Sequence, residues 1–404
     1  MTHASNATSD AHCCCSLEAY LDRSKACLVD VSLSATLDYF GKPRVHWGQQ
    51  FLKVAANQSA RWRSFKLRLH QAYAKQRPPA EAIWDTLADV LVPNLQHVDL
   101  CADLPEEAWY PLEPEIFLQG TPRLSTLRLA AYNWFWPIIP MDTITTLTIY
   151  SEDAPISIRP LLQLAKLQHL NITRKKGSVY HPIEFTQPFE DEDDNDEADS
   201  ISRLVSIRFP IYDLPSICEL PPTLRHAMKT VKHLYLVDRE SVDGTWDQLE
   251  DLLSSEDINL FPSLEHLNVN LSSMNAAPTL KNYPSLCRLT RNISTLTILQ
   301  GCLEVEPNHG NSEMTWPRLG RVHLQTLPEA PEECNNLFAW MAERGRRSSG
   351  AFVATLPVWQ LERLEKMETA GALQKEVQEM KAAVRLETAD GVHDDTWPPK
   401  AYLC

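Results

Sequence analysis

Apolar and polar positions follow a short motif that recurs along the middle of the chain. The motif is apolar-x-x-apolar-x-apolar, and Leu95-Gln-His-Val98-Asp-Leu100 is its first clear copy. Successive copies begin 20 to 37 residues apart, close to the leucine-rich-repeat length of about 20 to 29 residues. Such a motif predicts stacked units of strand, turn and helix, none of which buries its apolar side alone. The nine copies begin at Leu95, Leu124, Ile144, Leu167, Leu204, Val231, Leu264, Ile293 and Leu319.

A proline-containing preamble recurs at several units. Proline disfavours a helix and leaves the preceding residue extended, so we expect the preamble to end one segment and lead the chain into a strand. Apolar periodicity between the strands, as in Ala80 to Val90 and Ile158 to Leu167, predicts short helices on the outer side. The preambles are Val92-Pro-Asn-Leu95, Thr121-Pro-Arg-Leu124, Phe261-Pro-Ser-Leu264, Tyr283-Pro-Ser-Leu286 and Trp316-Pro-Arg-Leu319.

These patterns predict an α/β fold, an irregular leucine-rich-repeat-like solenoid with a curved parallel sheet and with helices and loops outside it. The alternative is an ordinary α/β domain, because the buried strands of any parallel sheet read alike. The number of copies and the shared preamble favour the solenoid.

Further elements are predicted at both ends of the repeats. Arg61 to Leu69 alternates as a strand does, Leu28 to Leu33 could supply another strand, and Gly48 to Ala60 reads as a helix. Towards the C-terminus, apolar residues three or four apart predict an amphipathic helix, favoured as a cap on the last repeat over a coiled-coil partner helix. Its apolar residues are Leu361, Leu364, Leu373, Val377, Met380 and Val384.

The predicted organisation has four parts. A flexible N-terminal tail covers residues 1–16, a capping region 17–90, the repeats 91–330, and a C-terminal helical cap and tail 331–404. The repeats contain an acidic loop at 187–200, where eight of the ten residues from Glu190 to Asp199 are carboxylates. We interpret this loop as solvated, with a docking site for a basic partner as the alternative. A Ca²⁺ loop is a poorer reading because the glycine turn and terminal glutamate are missing.

The composition limits which binding partners and which cellular compartment we expect for this protein. The formal net charge of −15 argues against nucleic acid or an anionic membrane as a partner, since phosphate contacts need clustered Lys and Arg. A protein partner is the simpler expectation. Neither a secretory signal nor a membrane-spanning segment is visible, so we expect a cytoplasmic or nuclear protein whose ten cysteines are reduced.

Known catalytic motifs are missing from the sequence. It has no glycine-rich phosphate loop, no Gly-x-Ser-x-Gly turn and no His-Glu-x-x-His helix. The run Cys13-Cys-Cys15 reads as part of a flexible tail, because adjacent cysteines do not readily surround one ion and no second ligand pair follows. We therefore predict no enzyme activity, no catalytic residues, no cofactor and no metal.

The third and fifth positions of each motif should share one face. If the fourth and sixth positions point inward, these residues point to the concave side and are exposed there. The recurring histidines could bind a metal or act as acid and base, but repetition of the consensus is the favoured explanation. The cluster Tyr132-Asn-Trp-Phe-Trp136 is core or an interface anchor. The predicted protein-binding residues are His97, Asp99, Arg128, His169, Asn171, Arg208, His233, Tyr235, His266, Asn268, Arg321 and His323, with Thr126 on the same face.

Segment order gives a family resemblance. The stretch Leu17 to Leu33, then Ala60-Arg-Trp-Arg-Ser-Phe-Lys-Leu67, then the Pro-x-Leu-x-x-Leu-x-Leu units up to Leu324 resemble the post-F-box region of fungal, mushroom-type F-box proteins. The resemblance implies the substrate-recognition region of an SCF-type ubiquitin ligase, whose chemistry belongs to other subunits. It implies a protein substrate and, if an F-box exists upstream, a Skp adaptor and a cullin as partners.

One departure from the family is clear. The F-box itself precedes this region in the family, and the 16 mostly polar residues before Leu17 do not match it. Two other functions therefore stay open. One is a standalone protein-interaction scaffold without a link to a ligase, and the other is a hydrolase or metal enzyme that uses the histidine-bearing face.

Overall fold

A computed structural model gives the fold of the chain. The residues that it describes are 17–37, 51–71, 81–103, 115–131, 138–151, 161, 164–174, 203–214, 217, 222–238, 260–271, 279–281, 284–299, 302–304, 316–348, 352–371 and 373–388. The N-terminal tail with Cys13 to Cys15, the cluster Tyr132 to Trp136 and the acidic loop 187–200 lie outside these residues.

The strands follow one another in chain order within the sheet. In the described part of the chain, thirteen strands have the order β1 to β9, β11, β13, β14 and β15, and β10 pairs with β12. The strand pairings among the described residues are parallel. The strands are β1 Val29–Leu37, β2 Trp62–Gln71, β3 His97–Asp103, β4 Thr126–Ala131, β5 Thr146–Ser151, β6 His169–Arg174, β7 Ser206–Pro210, β8 His233–Asp238, β9 His266–Leu271, β10 Thr279–Lys281, β11 Thr295–Leu299, β12 Cys302–Glu304, β13 Arg321–Leu324, β14 Phe352–Leu356 and β15 Val384–Thr388.

Helices lie between strands, as an α/β solenoid requires. They are α1 Glu81–Ala88, α2 Pro222–Met228, α3 Pro284–Leu289, α4 Pro331–Arg347, α5 Val358–Thr369 and α6 Gln374–Ala383, with short 3-10 helices at Ser59–Arg61 and Ile211–Asp213. Residues 17–24 and 51–56 are also helical. The predicted α/β fold of stacked parallel strands is confirmed, and so are strands β1 and β2 and helix α1.

Contacts divide the chain into two units, with the division inside β6. The first unit holds β1 to β5 together with residues 172–181, and the second holds residues 168–171 and β7 to β15.

The preamble proline stands inside a hydrogen-bonded turn. The N–H of Leu95 donates to the carbonyl of Val92 (3.2 Å), so that Pro93 occupies the second turn position, which its fixed φ suits. The same turn precedes Leu124, Leu264 and Leu319, and its first residue is buried each time. The fourth residue of the turn is the first apolar position of the motif.

One preamble has a different role from the predicted one. Pro284 begins helix α3 instead of leading into a strand, because proline is compatible with the first turn of a helix. The turn before β11 instead runs from Thr290 to Ile293, without a proline.

Successive units are joined by a repeated backbone contact. The carbonyl of the second motif residue accepts hydrogen bonds from the second and third N–H groups of the next unit, as Lys232 does from Glu265 (2.9 Å) and His266 (2.9 Å). The same arrangement joins β11 to β13, where the Ser294 carbonyl accepts from Gly320 and Arg321. This contact keeps the motifs in register from strand to strand.

The apolar positions of the motif form the core. Leu234 pairs in register with Leu267, and Leu267 with Leu296, and all three are fully buried. Burial of each such side chain stabilises the fold by roughly 1.5 to 3 kcal/mol. In the first unit, Trp62 stacks on Phe65 with centroids 5.0 Å apart, and its Nε1 donates to the Ala55 carbonyl (3.1 Å).

The C-terminal region differs from the single amphipathic helix that the sequence predicts. Two helices, α5 and α6, are separated at Ala370 and Gly371, where Gly371 has φ +77°. Val384 begins strand β15, so the sheet continues past residue 330 with β14 and β15. The helical spacing breaks between Leu364 and Leu373, which permits the interruption. No helix in the described ranges combines the length and apolarity needed to cross a membrane.

Candidate functional site

Two rows of side chains run across the strands of the second unit. Strand residues alternate between faces, so residues that pair in register and share parity stand side by side. The first row is His169, Ser206, His233, His266, Thr295, Arg321, Val353 and Arg385. The second row is Asn171, Arg208, Tyr235, Asn268, Thr297, His323, Thr355 and Glu387.

Shorter rows cross the first unit. His97 stands between Ser64 and Thr126, while Asp99 stands between Lys66 and Arg128. Asp99 forms ion pairs with Lys66 (3.0 Å) and, at a longer distance, with Arg128 (3.9 Å). Charges of opposite sign alternate along the row through Asp99. The residues of both rows keep some contact with solvent, namely Ser64, Lys66, His97, Asp99, Thr126 and Arg128.

At the edge of the first unit, Asp30 is held by two partners. Arg63 and the Ser64 hydroxyl both donate to its carboxylate. The hydrogen bond from Arg63, followed by that from Ser64, lowers the pKa of Asp30 to about 2. The carboxylate therefore stays ionised and occupied, which leaves it little capacity for a partner molecule.

Exposure of the predicted binding residues differs from the expectation. His97 and Arg128 are exposed, but His169 and Asn171 are buried, with 4% and 7% of their surface accessible. Adjacent strands lie only about 4.8 Å apart, so neighbouring side chains within a row cover one another. The remaining predicted residues are half-buried, namely Asp99, Thr126, Arg208, His233, Tyr235, His266, Asn268, Arg321 and His323.

Three histidines of the first row lie near one another. The Nδ1 atom of His169 is 2.6 Å from Ser206 Oγ, and the rings of His233 and His266 stack with centroids 4.5 Å apart. Burial lowers the pKa of His169 to about 4, and burial together with the neighbouring His266 lowers that of His233 to about 4. Burial also lowers the pKa of His266. These imidazoles are therefore neutral near pH 7.

The hydrogen bond between His169 and Ser206 is the one feature that this pair shares with the base and nucleophile of a hydrolase. Ser206 has no accessible surface, so its hydroxyl does not reach a substrate in this conformation. The lowered pKa of His169 makes its imidazole a weak base at neutral pH. Within the described ranges, no three His, Cys, Asp or Glu side chains are grouped so that they could hold a metal ion.

Several buried polar atoms of this face lack a hydrogen-bond partner. Among the described residues, this holds for Asn171 Oδ1, His323 Nδ1 and Thr355 Oγ1 in the second row, and for Asn270 Oδ1 two residues beyond it. Thr355 has only 5% of its surface accessible. A buried polar group without a partner costs roughly 1 to 3 kcal/mol, so these atoms lower the stability of the fold.

Arginines gather at the C-terminal end of both rows. Arg321 and Arg385 each bind one oxygen of Glu387, at 3.2 Å in both cases. One carboxylate thus balances only one of two guanidinium charges. Next to them stand His323, whose pKa is lowered by burial, and Thr355.

The patterns in the sequence did not predict the part of this face that lies on the last two strands. Val353, Thr355, Arg385 and Glu387 lie on β14 and β15, in a region for which the sequence predicts a helical cap. A signal for the second of these strands was present, because Val384-Arg-Leu-Glu-Thr388 alternates apolar and polar residues as a half-buried strand does.

Comparison with known proteins adds no family to this geometry. No protein-family model matches the chain, and no curated protein matches it significantly.

Proposed function

We propose that this chain binds another protein through the two rows of the second unit. The observation that carries the proposal is that one face of the parallel sheet is lined with Asn, Arg, Tyr, Thr and His side chains from strand to strand. Parallel sheets covered by helices on both faces are apolar on both. A face that stays polar over so many strands is suited to contact with something other than the chain's own helices.

The composition of the rows suits a protein partner. Tyr and Arg are enriched among the residues that contribute most to interfaces, and Arg208 and Tyr235 stand side by side in the second row. Half-buried side chains that are already packed against neighbours lose little further freedom on binding. The rows thus present a preorganised surface.

The resemblance to fungal F-box proteins extends the proposal. On that basis, the chain is the substrate-recognition region of an SCF-type ubiquitin ligase receptor, and the bound protein is its substrate. The alternative is a standalone interaction scaffold. Both share the binding face and differ only in whether a Skp adaptor and a cullin accompany the chain.

The test is affinity purification of the tagged chain from its native cells, followed by mass spectrometry. Three versions are compared: the unchanged chain, Tyr235→Ala/Asn268→Ala in the second row, and Lys375→Ala/Glu379→Ala on the exposed side of α6. The control pair is strongly exposed, and alanine favours a helix. We expect the row variant to lose the co-purifying protein and the α6 variant to keep it, with circular dichroism melting curves confirming that both fold.

Equal recovery with all three versions would reject the rows as the binding face. Recovery of a Skp adaptor and a cullin with the unchanged chain would support the ligase link. Reproducible partners without them would support the scaffold.

A further inference from the structure

The two rows of the second unit carry a charge opposite to that of the protein. Arg208, Arg321 and Arg385 stand in these rows with one carboxylate, Glu387. The whole chain, in contrast, has a formal net charge of −15. Two of the three arginines, Arg321 and Arg385, lie on strands β13 and β15 together with Glu387, which leaves one uncompensated positive charge there.

Hydrogen-bonding capacity remains at this end of the rows. Arg321 donates through one terminal nitrogen to Glu387, and Arg385 approaches the other oxygen through Nε. A guanidinium group carries five N–H donors, so each arginine retains several that have no partner among the described residues. Both side chains are partly exposed, at 44% for Arg321 and 68% for Arg385.

The neighbouring strand adds a buried hydroxyl. Thr355 stands between His323 and Glu387 in register, and its Oγ1 has no partner in the described part of the chain. Because this hydroxyl is buried, as that of Ser206 is, it does not reach a bound group in this conformation. The Nδ1 atom of His323, also without a described partner, stands on the other side of Thr355.

We propose that Arg321 and Arg385 form a carboxylate-binding site for an acidic, Asp- or Glu-bearing segment of the protein partner. This inference rests on the proposed function and names the chemistry of the segment bound there. In the free chain, Glu387 occupies part of the site, and the incoming carboxylate shares the two guanidinium groups with it. Pairing of Arg with a carboxylate is often bidentate, which adds geometric specificity to the attraction of charge.

The test uses the purified full chain and a fluorescein-labelled octaglutamate peptide, measured by fluorescence anisotropy at physiological salt. Salt at this level screens the repulsion between the acidic chain and the peptide beyond about 8 Å and screens groups in contact less. We expect Arg321→Gln and Arg385→Gln each to weaken binding about three- to fivefold, the upper part of the range for partly exposed ion pairs. Arg346→Gln on α4 is the matched control, since that arginine is also about half exposed and paired with a glutamate. The control should change affinity by less than about twofold.

Two further variants separate a site from a general positive field. Glu387→Gln removes the competing carboxylate and should strengthen peptide binding. Thr355→Val removes a buried, unpartnered hydroxyl while keeping the shape of the side chain, so it should change neither the peptide affinity nor the melting temperature. It therefore serves as a control for changes beneath the two arginines.

The inference is overturned if octaglutamate does not bind, if the corresponding glutamine peptide binds equally well, or if Arg346→Gln weakens binding as much as Arg385→Gln. Weaker binding by Glu387→Gln would also overturn it. These outcomes are distinct from failure of the proposed function, which depends on partner capture through Tyr235 and Asn268. Capture that survives loss of peptide binding leaves the protein-binding function in place.

Discussion

His169 and His233 show how neighbouring strands alter a single side chain. Each occupies a row position that alternation along its own strand would place on the surface, yet burial lowers the pKa of both to about 4. Around His233, Glu265 opposes this lowering, whereas Lys232 and His266 add to it. The chemical state of a row residue is therefore set by the strands beside it.

This lowering predicts a stability that depends on pH. An unfolded histidine takes up a proton near pH 6.5, while the folded pKa of these residues is about 4. The folded state is therefore favoured fully above pH 6.5, and this contribution is lost as the pH falls from 6.5 towards 4. We expect a loss on the order of 1 to 2 kcal/mol per histidine between pH 7 and pH 5.

Urea denaturation across this pH range measures the effect. Because the histidines are mostly neutral in both the folded and the unfolded state above pH 7, they contribute little to the dependence of stability on pH between pH 7 and pH 8. This range provides an internal reference. His169→Gln should reduce the slope between pH 6.5 and pH 5. An unchanged slope in that variant would show that His169 does not contribute.

Helices α4 and α6 approach closely at one glycine. A Cβ on Gly345 would lie 2.2 Å from the Ala383 carbonyl oxygen, whereas a Cβ on Gly320 would have its nearest neighbour, the Ser294 carbonyl oxygen, at 4.0 Å. Two side chains of α6, Val377 and Met380, are buried. The contact thus depends on the absence of a side chain at residue 345.

Gly345→Ala should therefore destabilise the chain, and Gly320→Ala should not. The added methyl group forces the two helices apart, at a cost of about 1 to 3 kcal/mol, as overpacking does. Chemical denaturation of both variants gives the comparison. Equal stability of the two variants would contradict the close approach.

All five residues of strand β14 are buried. Phe352 is fully buried and meets Trp340 edge to face at 6.2 Å. Trp359, seven residues on, is 52% exposed. Phe352→Ala should cost about 3 to 5 kcal/mol by leaving a cavity, while Trp359→Ala should cost less than about 1 kcal/mol. The free energies of unfolding of the two variants decide whether β14 belongs to the core.

In the whole molecule, the net negative charge acts over longer distances than the two clustered arginines, Arg321 and Arg385. The net charge of −15 repels polyanions at a distance, whereas the site at β13 to β15 recognises single carboxylates at contact. Nucleic acid binding requires an extended basic surface.

We therefore expect no binding to a DNA duplex at physiological salt. An electrophoretic mobility shift assay with increasing protein concentration tests this directly, and a circular dichroism melting curve of the same preparation confirms that the protein is folded. A shifted band that persists at physiological salt would contradict the prediction and point to a basic surface that the net charge conceals.

The amino-acid sequence alone is enough to identify the strands that carry the motif and their inward side chains. Leu234, Leu267 and Leu296 are recognisable as core from the motif, because alternation along one strand is a local property. The preamble prolines are also visible in the sequence. Their place inside a turn, and the different role of Pro284 at the start of α3, became clear only in the structure, since both depend on the conformation of the residues after the proline.

The folded arrangement of the strands sets which row residues meet and how deeply they are buried. Ser206 beside His169, and Thr355 beside His323 and Glu387, are neighbours through the register of separate strands, tens of residues apart in the chain. A local pattern assigns a residue to one side of its strand, but it carries no information on the strand that will lie beside it. Accessibility, pKa and the grouping of charges depend on those neighbours, and therefore on the folded chain.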